Sequence, residues 1–188
     1  MLLLGCRPEG RHTEQHDVFF HIGESLESLI PAIVEFWPEA KGKIHVDAWR
    51  EVTRVGDFSV HVRSRADGVA TTAANGPRLY FINLGGYKRD VFEEFHYKMV
   101  VVADDKGAAI RQSKATAFYQ HTGFEGASSH VDDKYGIDVD DAHEIIDILP
   151  RSLREAYAID VERAAGPSGQ EDEMHLGYFQ LAKLKQFS

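Results

Sequence analysis

The sequence repeats itself. At an offset of 80 residues Leu4 meets Leu84, Gly5 meets Gly85, Glu14 meets Glu94, His16 meets His96 and Ile30 meets Ile110. Past a small insertion in the second half, His45-Val46-Asp47 meets His130-Val131-Asp132 at an offset of 85. Val55 and Asp57 then meet Val139 and Asp141 at an offset of 84. Apolar matches are common between any two cores, so the recurrence of His, Glu and Asp carries the weight. A repeat of this kind points to one supersecondary block of about 70 residues used twice. It constrains the fold strongly, because whatever the first half forms the second half must also be able to form.

The pattern of elements agrees with the repeat. Residues 2–6 are a short apolar run and residues 16–22 (HDVFFHI) are β-branched and aromatic, so both read as strands. Leu26, Leu29, Ile30, Ile33, Val34 and Trp37 fall at helical spacing, opened by Glu24 or Ser25 and closed by Pro38. Pro31 fixes either a kink or the start of that helix. Residues 43–49 and 58–62 alternate as strands. Residues 63–77 collect small residues and an Asn-Gly pair, which marks a linker. The order then restarts, with a strand over 78–84, a Gly85-Gly86 turn, a strand over 96–103 and a helix from Asp104 or Asp105 to Tyr119. Strands follow over 130–135 and 144–149. A helix over 151–163, a loop over 164–173 and a strand over 175–181 complete the chain.

The expected fold class is α+β. Two repeated β-β-α-β-β modules form a mostly antiparallel, pseudo-two-fold structure with helices packed on the sheets. The first module covers 1–62, the linker 63–77, the second module 78–150 and a C-terminal tail 151–188, all within one compact unit.

Charge and composition exclude several functions. Among 188 residues, 21 Lys and Arg face 30 Asp and Glu, a net charge of −9. Such a surface does not displace counterions from nucleic acid or cling to anionic lipid. No apolar stretch approaches the ~20 residues of a membrane span. The opening MLLLGC lacks the basic start and apolar region that a leader needs before a cleavage site. The single Cys6 forms no internal disulfide and, following a Leu run, reads as a buried inert thiol. The expectation is a cytoplasmic protein without nucleic-acid or membrane partners.

Residues 3–52, above all LLGC, the GRHTEQHD loop, the FF strand and HVDAWREV, resemble DUF1543, a bacterial family of unknown function. FINLGGY, FEEFHYKMVVVAD and HVDDKYGIDV look like a second copy of the same short domain. The resemblance covers residues 2–149, with HLGYFQL near the end also similar. It implies a bacterial protein of two modules and supplies no activity and no catalytic residue.

The candidate site residues are therefore read from their chemistry. Glu14-x-His16, Glu94-x-His96, His45-x-Asp47 and His130-x-Asp132 each place an acid and an imidazole two residues apart, on one face of a strand. If neighbouring strands carry them, each module presents two imidazoles and two carboxylates together. Such a set can bind a small ligand, work as His–carboxylate dyads, or hold a metal through nitrogen and oxygen. Equally, the pairs can close a buried polar network. No HExxH motif or His-rich tract is present, so the sequence assigns no metal and names no cofactor. Arg11, in the loop with Arg7, His12 and Thr13, is a ligand-binding candidate for an anionic group. Trp49, beside Arg50, is a candidate pocket wall. Gly5 and Gly85-Gly86 suggest tight turns or close backbone approach.

Three functions fit the pattern. The first is a small-ligand-binding or regulatory domain with a site in each module. The second is an enzyme using a His–carboxylate dyad, in one version for metal-assisted hydrolysis. The third is an interaction module that forms a homodimer through strand edges.

Overall fold

The computed structural model describes residues 1–67, 76–87, 90–122, 138–165 and 171–187. It is a mixed α+β structure of antiparallel sheets and helices. Contacts divide the chain into two compact units, Met1–Thr53 with Glu171–Ser188, and Arg54–Gln170.

The first unit is built on a four-stranded antiparallel sheet. Its strands are β1 (Leu2–Cys6), β2 (Gln15–Phe19), β3 (His45–Trp49) and β10 (His175–Gln180), in the spatial order β10-β3-β1-β2. Leu2, Leu4 and Cys6 alternate along β1 and bury one face, where Val46 and Phe19 join them. Helix α1 (Ile30–Phe36) closes that face with Ile33, preceded by a 3-10 turn that contributes Leu29. Pro31 sits in the first turn of α1, where a missing N–H costs nothing, so it starts the helix instead of kinking it. Ser25 and Ser28 bond reciprocally ahead of it, each backbone N–H reaching the other's hydroxyl at 3.3 Å. After β10 the chain makes a last 3-10 segment that drives Leu184 into this same core, fully buried.

The second unit holds two three-stranded antiparallel sheets among the described residues. One contains β4 (Arg54–Val55), β5 (Phe58–Ser64) and β9 (Tyr157–Arg163), in that spatial order. The other has β6 (Arg78–Tyr87) at its centre, flanked by β7 (Glu94–Ala103) and β8 (Asp138–Glu144). Tyr80, Ile82 and Leu84 alternate along β6 and meet Val101 of β7, Ala142 of β8 and Ala109 of helix α2 (Lys106–Thr122). Asp105 caps α2, its carboxylate accepting the Ala108 N–H at 2.7 Å.

Three sequence expectations are corrected. Residues 144–149 are not a strand, because the chain leaves β8 at Glu144 and forms helix α3 (Ile145–Ile148). Ile145 and Leu149 are buried four residues apart, a helical spacing that a short isoleucine run disguises as a strand. Residues 151–163 are not one helix. Helix α4 (Arg151–Ala156) ends at Tyr157, and the β-branched stretch beyond it is β9. Gly85-Gly86 is not a turn, since β6 runs through both and pairs them with His96 and Phe95. The expected strand over 130–135 and most of the expected linker lie outside the described residues.

Candidate functional site

In the first unit the site grows from one irregularity of register. Leu4 pairs with Val46, but Leu3 pairs with Ala48, so Asp47 is an extra residue in β3 with no partner on β1. A bulge of this kind re-aims a side chain. Gly5 lies on the face of β1 away from the core and is flanked by His16 of β2 and His45 of β3. Glu14, two residues before His16, and the bulged Asp47 reach the same spot.

The four side chains close a ring of alternating acid and imidazole. His45 Nε2 lies 3.1 Å from Glu14 Oε1 and 3.2 Å from Asp47 Oδ1. His16 Nε2 lies 3.2 Å from Asp47 Oδ2 and 3.9 Å from Glu14 Oε2. Each carboxylate thus offers one oxygen to each histidine. Gly5 forms the floor, and a Cβ there would collide with both Asp47 Oδ2 and His45 Nε2. The set is graded in exposure. His45 is 5% exposed, whereas His16 and Glu14 are open to solvent. Tyr178 of β10 lies against the His45 ring, centroids 4.2 Å apart, and walls the site on one side.

The weak point of the ring is its deepest atom. His45 Nε2 and Asp47 Oδ2 are both buried, and neither makes a hydrogen bond of acceptable geometry. The distances to the carboxylates are short enough, so the failure is one of direction. Leaving buried polar atoms in that condition costs about 1–3 kcal/mol each.

The second unit carries a related constellation. Leu84 pairs with Val139 and Asn83 with Asp141, so Asp140 is the extra residue of β8. Gly85 is flanked by His96 of β7 and Asp138 of β8. His96 Nε2 lies 3.3 Å from Asp140 Oδ2 and 4.0 Å from Glu94 Oε2. A Cβ on Gly85 would press on the Asp140 carboxylate. One ligating atom from each of Glu94, His96 and Asp140 falls within 4.8 Å of the others, a spacing that suits a metal ion.

The remaining candidates divide. Glu14, His16, His45 and Asp47 are brought together, as are Glu94 and His96. His130 and Asp132 lie outside the described residues. Arg11 is exposed, its backbone N–H closing a turn on the Pro8 carbonyl at 3.2 Å. Trp49 packs on the core side of the sheet and stacks on His175, centroids 3.9 Å apart. Sequence reasoning missed Asp140. Asp138-Val139-Asp140 repeats the polar-Val-Asp pattern of His45-Val46-Asp47, the sequence signal that points to it.

Residues 11–62 match the model of DUF1543, a Domain of Unknown Function. The matched stretch takes in β2, α1, β3, β4 and most of β5, and contains Glu14, His16, His45 and Asp47. No curated protein matches the chain. Among solved structures, it is similar to the crystal structure of a protein Il1583 from Idiomarina loihiensis, at a TM-score of 0.58 and 21% identity. The match covers 96% of this chain and 94% of that one, and what it shows is a shared fold. No described helix is long and apolar enough to cross a membrane.

Proposed function

We propose that this protein is a ligand-binding domain made from a repeated module, and that its ligand is a divalent metal ion held on the glycine floor of each copy. The observation that carries the reading is His45 Nε2, which is buried, faces two carboxylate oxygens and makes no hydrogen bond. A nitrogen that donates has one hydrogen for two anionic oxygens. A nitrogen that accepts points its lone pair at both. A cation among the three groups resolves the conflict, and imidazole nitrogen with carboxylate oxygen is the donor set of zinc and its neighbours. The module repeat supports the reading: the glycine, the facing histidine, the acid two residues before it and the bulged aspartate recur in the two sheets. Metal signatures were absent from the sequence because the donors come from separate strands and from a bulge.

The test is calorimetric titration of untagged, chelator-stripped protein with Zn²⁺, alongside elemental analysis of protein purified without chelator. Saturable binding is expected, weakened at least roughly tenfold by Asp47→Asn, as loss of a ligand should do. His16→Gln, at an exposed position, provides the same readout if the Asp47 variant folds poorly. Wild-type protein that binds no Zn²⁺ overturns the proposal.

A second reading rests on His16. It is open to solvent and 3.2 Å from Asp47, the arrangement of a dyad in which the carboxylate orients the ring for acid–base work. Activity on simple esters that survives chelation and is lost in His16→Gln would favour it over ion binding.

A further inference from the structure

We infer that the outer edge of β10 is the surface through which two copies of this chain pair, strand to strand and antiparallel about a two-fold axis. Pairing of this kind does not depend on either glycine-floored centre holding a metal. β10 ends its sheet, in the order β10-β3-β1-β2, and its far edge has no strand partner among the described residues. Natural edges are guarded by charge, Pro or a bulge, because bare backbone N–H and C=O groups invite another strand. The opposite edge of this sheet is guarded. β2 carries His16 and Asp17, and the Asp17 carboxylate accepts the Val18 N–H at 2.7 Å. The six residues of β10, HLGYFQ, contain no Lys, Arg, Asp, Glu or Pro. His175 and Phe179 turn toward Trp49 and the core, so Met174, Leu176 and Tyr178 alternate onto the other face. These three are 62%, 73% and 67% exposed.

Charge selects a second copy as the occupant. A chain of net charge −9 repels its own kind over most of its surface, and this uncharged strand is where a copy can approach. The flanks then fix the direction. Glu171 and Glu173 precede the strand, Lys183 follows it, and all three are exposed. Two antiparallel β10 strands bring the acidic end of each beside the basic end of the other, at both ends of the contact. Parallel pairing would set acid against acid and base against base. The antiparallel contact is isologous, so it closes as a dimer whose remaining sheet edges are the guarded β2 strands. It joins two four-stranded sheets into one, with Leu176 and Tyr178 of the two copies meeting on a single face as aliphatic–aromatic neighbours. Tyr178 lies against His45, so the contact falls beside the first centre, around Gly5. One six-residue edge buries less than the ~1,600 Å² of a standard interface, which makes the dimer a weak, concentration-dependent one.

Sedimentation equilibrium of full-length protein, from about 1 to about 200 µM, should show the mass rising from 21.1 kDa toward twice that value. Leu176→Lys places a charge on the bare edge and should raise the dissociation constant at least about tenfold, with circular dichroism checking the fold. Lys183→Glu alone, and Glu171→Lys with Glu173→Lys, should each weaken pairing several-fold at low ionic strength, because like charges then face each other. An equal mixture of these two proteins should recover wild-type pairing, since both ends of the mixed dimer again carry opposite charges. These exposed substitutions keep the test decisive if Leu176→Lys folds poorly. Wild-type protein that stays at 21.1 kDa throughout overturns the inference. A dimer indifferent to Leu176→Lys, or a mixture that pairs no better than its components, overturns it as well by placing the contact elsewhere.

Discussion

Gly5 is the residue on which the first site depends most directly. It has an unremarkable backbone conformation, and its value lies in having no side chain where Asp47 and His45 converge. Gly5→Ala should therefore displace the cluster, lowering stability by about 1–3 kcal/mol as overpacking does and abolishing Zn²⁺ binding. Gly10 is the useful contrast: its φ is +81° with open space around it. Gly10→Ala should cost about 1 kcal/mol of backbone strain and leave Zn²⁺ binding unchanged. Denaturant melts and calorimetry separate the two. Cys6, buried in the core on the opposite face of β1, has its thiol pushed up by burial and then by the charge of Glu14. Iodoacetamide should leave it unmodified in the native protein at pH 8 and label it only on unfolding, which mass spectrometry reads directly. Much of the first centre was legible at this scale. The i, i+2 spacing of acid and histidine states a shared strand face, and Gly5 was already suspect as a point of close approach. Asp47 fits that spacing on paper, yet it reaches the site through a bulge that spacing alone does not reveal.

Among the elements, β3 shows why the rest was harder to read. His45 faces the site, whereas Val46 and Trp49 both face the core, although three positions separate them. Strict alternation forbids that, and the bulged Asp47 restores it by shifting the phase once. Deleting Asp47 would leave His45, Val46, Ala48 and Trp49 in strict alternation opposite the same β1 partners, so the deletion, like Asp47→Asn, should keep cooperative unfolding in thermal melts while weakening Zn²⁺ binding. The same effect hid Asp140 in β8. Helix and strand signals failed where apolar runs were short, as in Ile145–Ile148, and succeeded where alternation was long, as in β6 and β7. The element that returns last, β10 with its 3-10 extension, is tied down by Leu184 and by a Lys185–Glu27 ion pair of 3.1 Å. Leu184→Ala should cost about 2–5 kcal/mol, nearly all from the buried side chain, since exposed ion pairs contribute little.

On the scale of the whole chain, the two units differ in continuity. The second is one uninterrupted stretch, Arg54–Gln170, while the first is assembled from both ends of the sequence. A fragment of residues 54–170 should unfold cooperatively alone. A fragment of residues 1–53 should not, because it lacks β10 and Leu184. Circular dichroism and urea titration of the two fragments check this pair of outcomes. During synthesis that discontinuity becomes a matter of time. β1, β2 and β3 leave the ribosome early, yet β10 and Leu184 follow only after the whole second unit has been made. At about 5–20 residues per second the interval is on the order of ten seconds. Through it the nascent chain carries an unpaired β3 edge and an incomplete core, with the residues of the first centre already emerged.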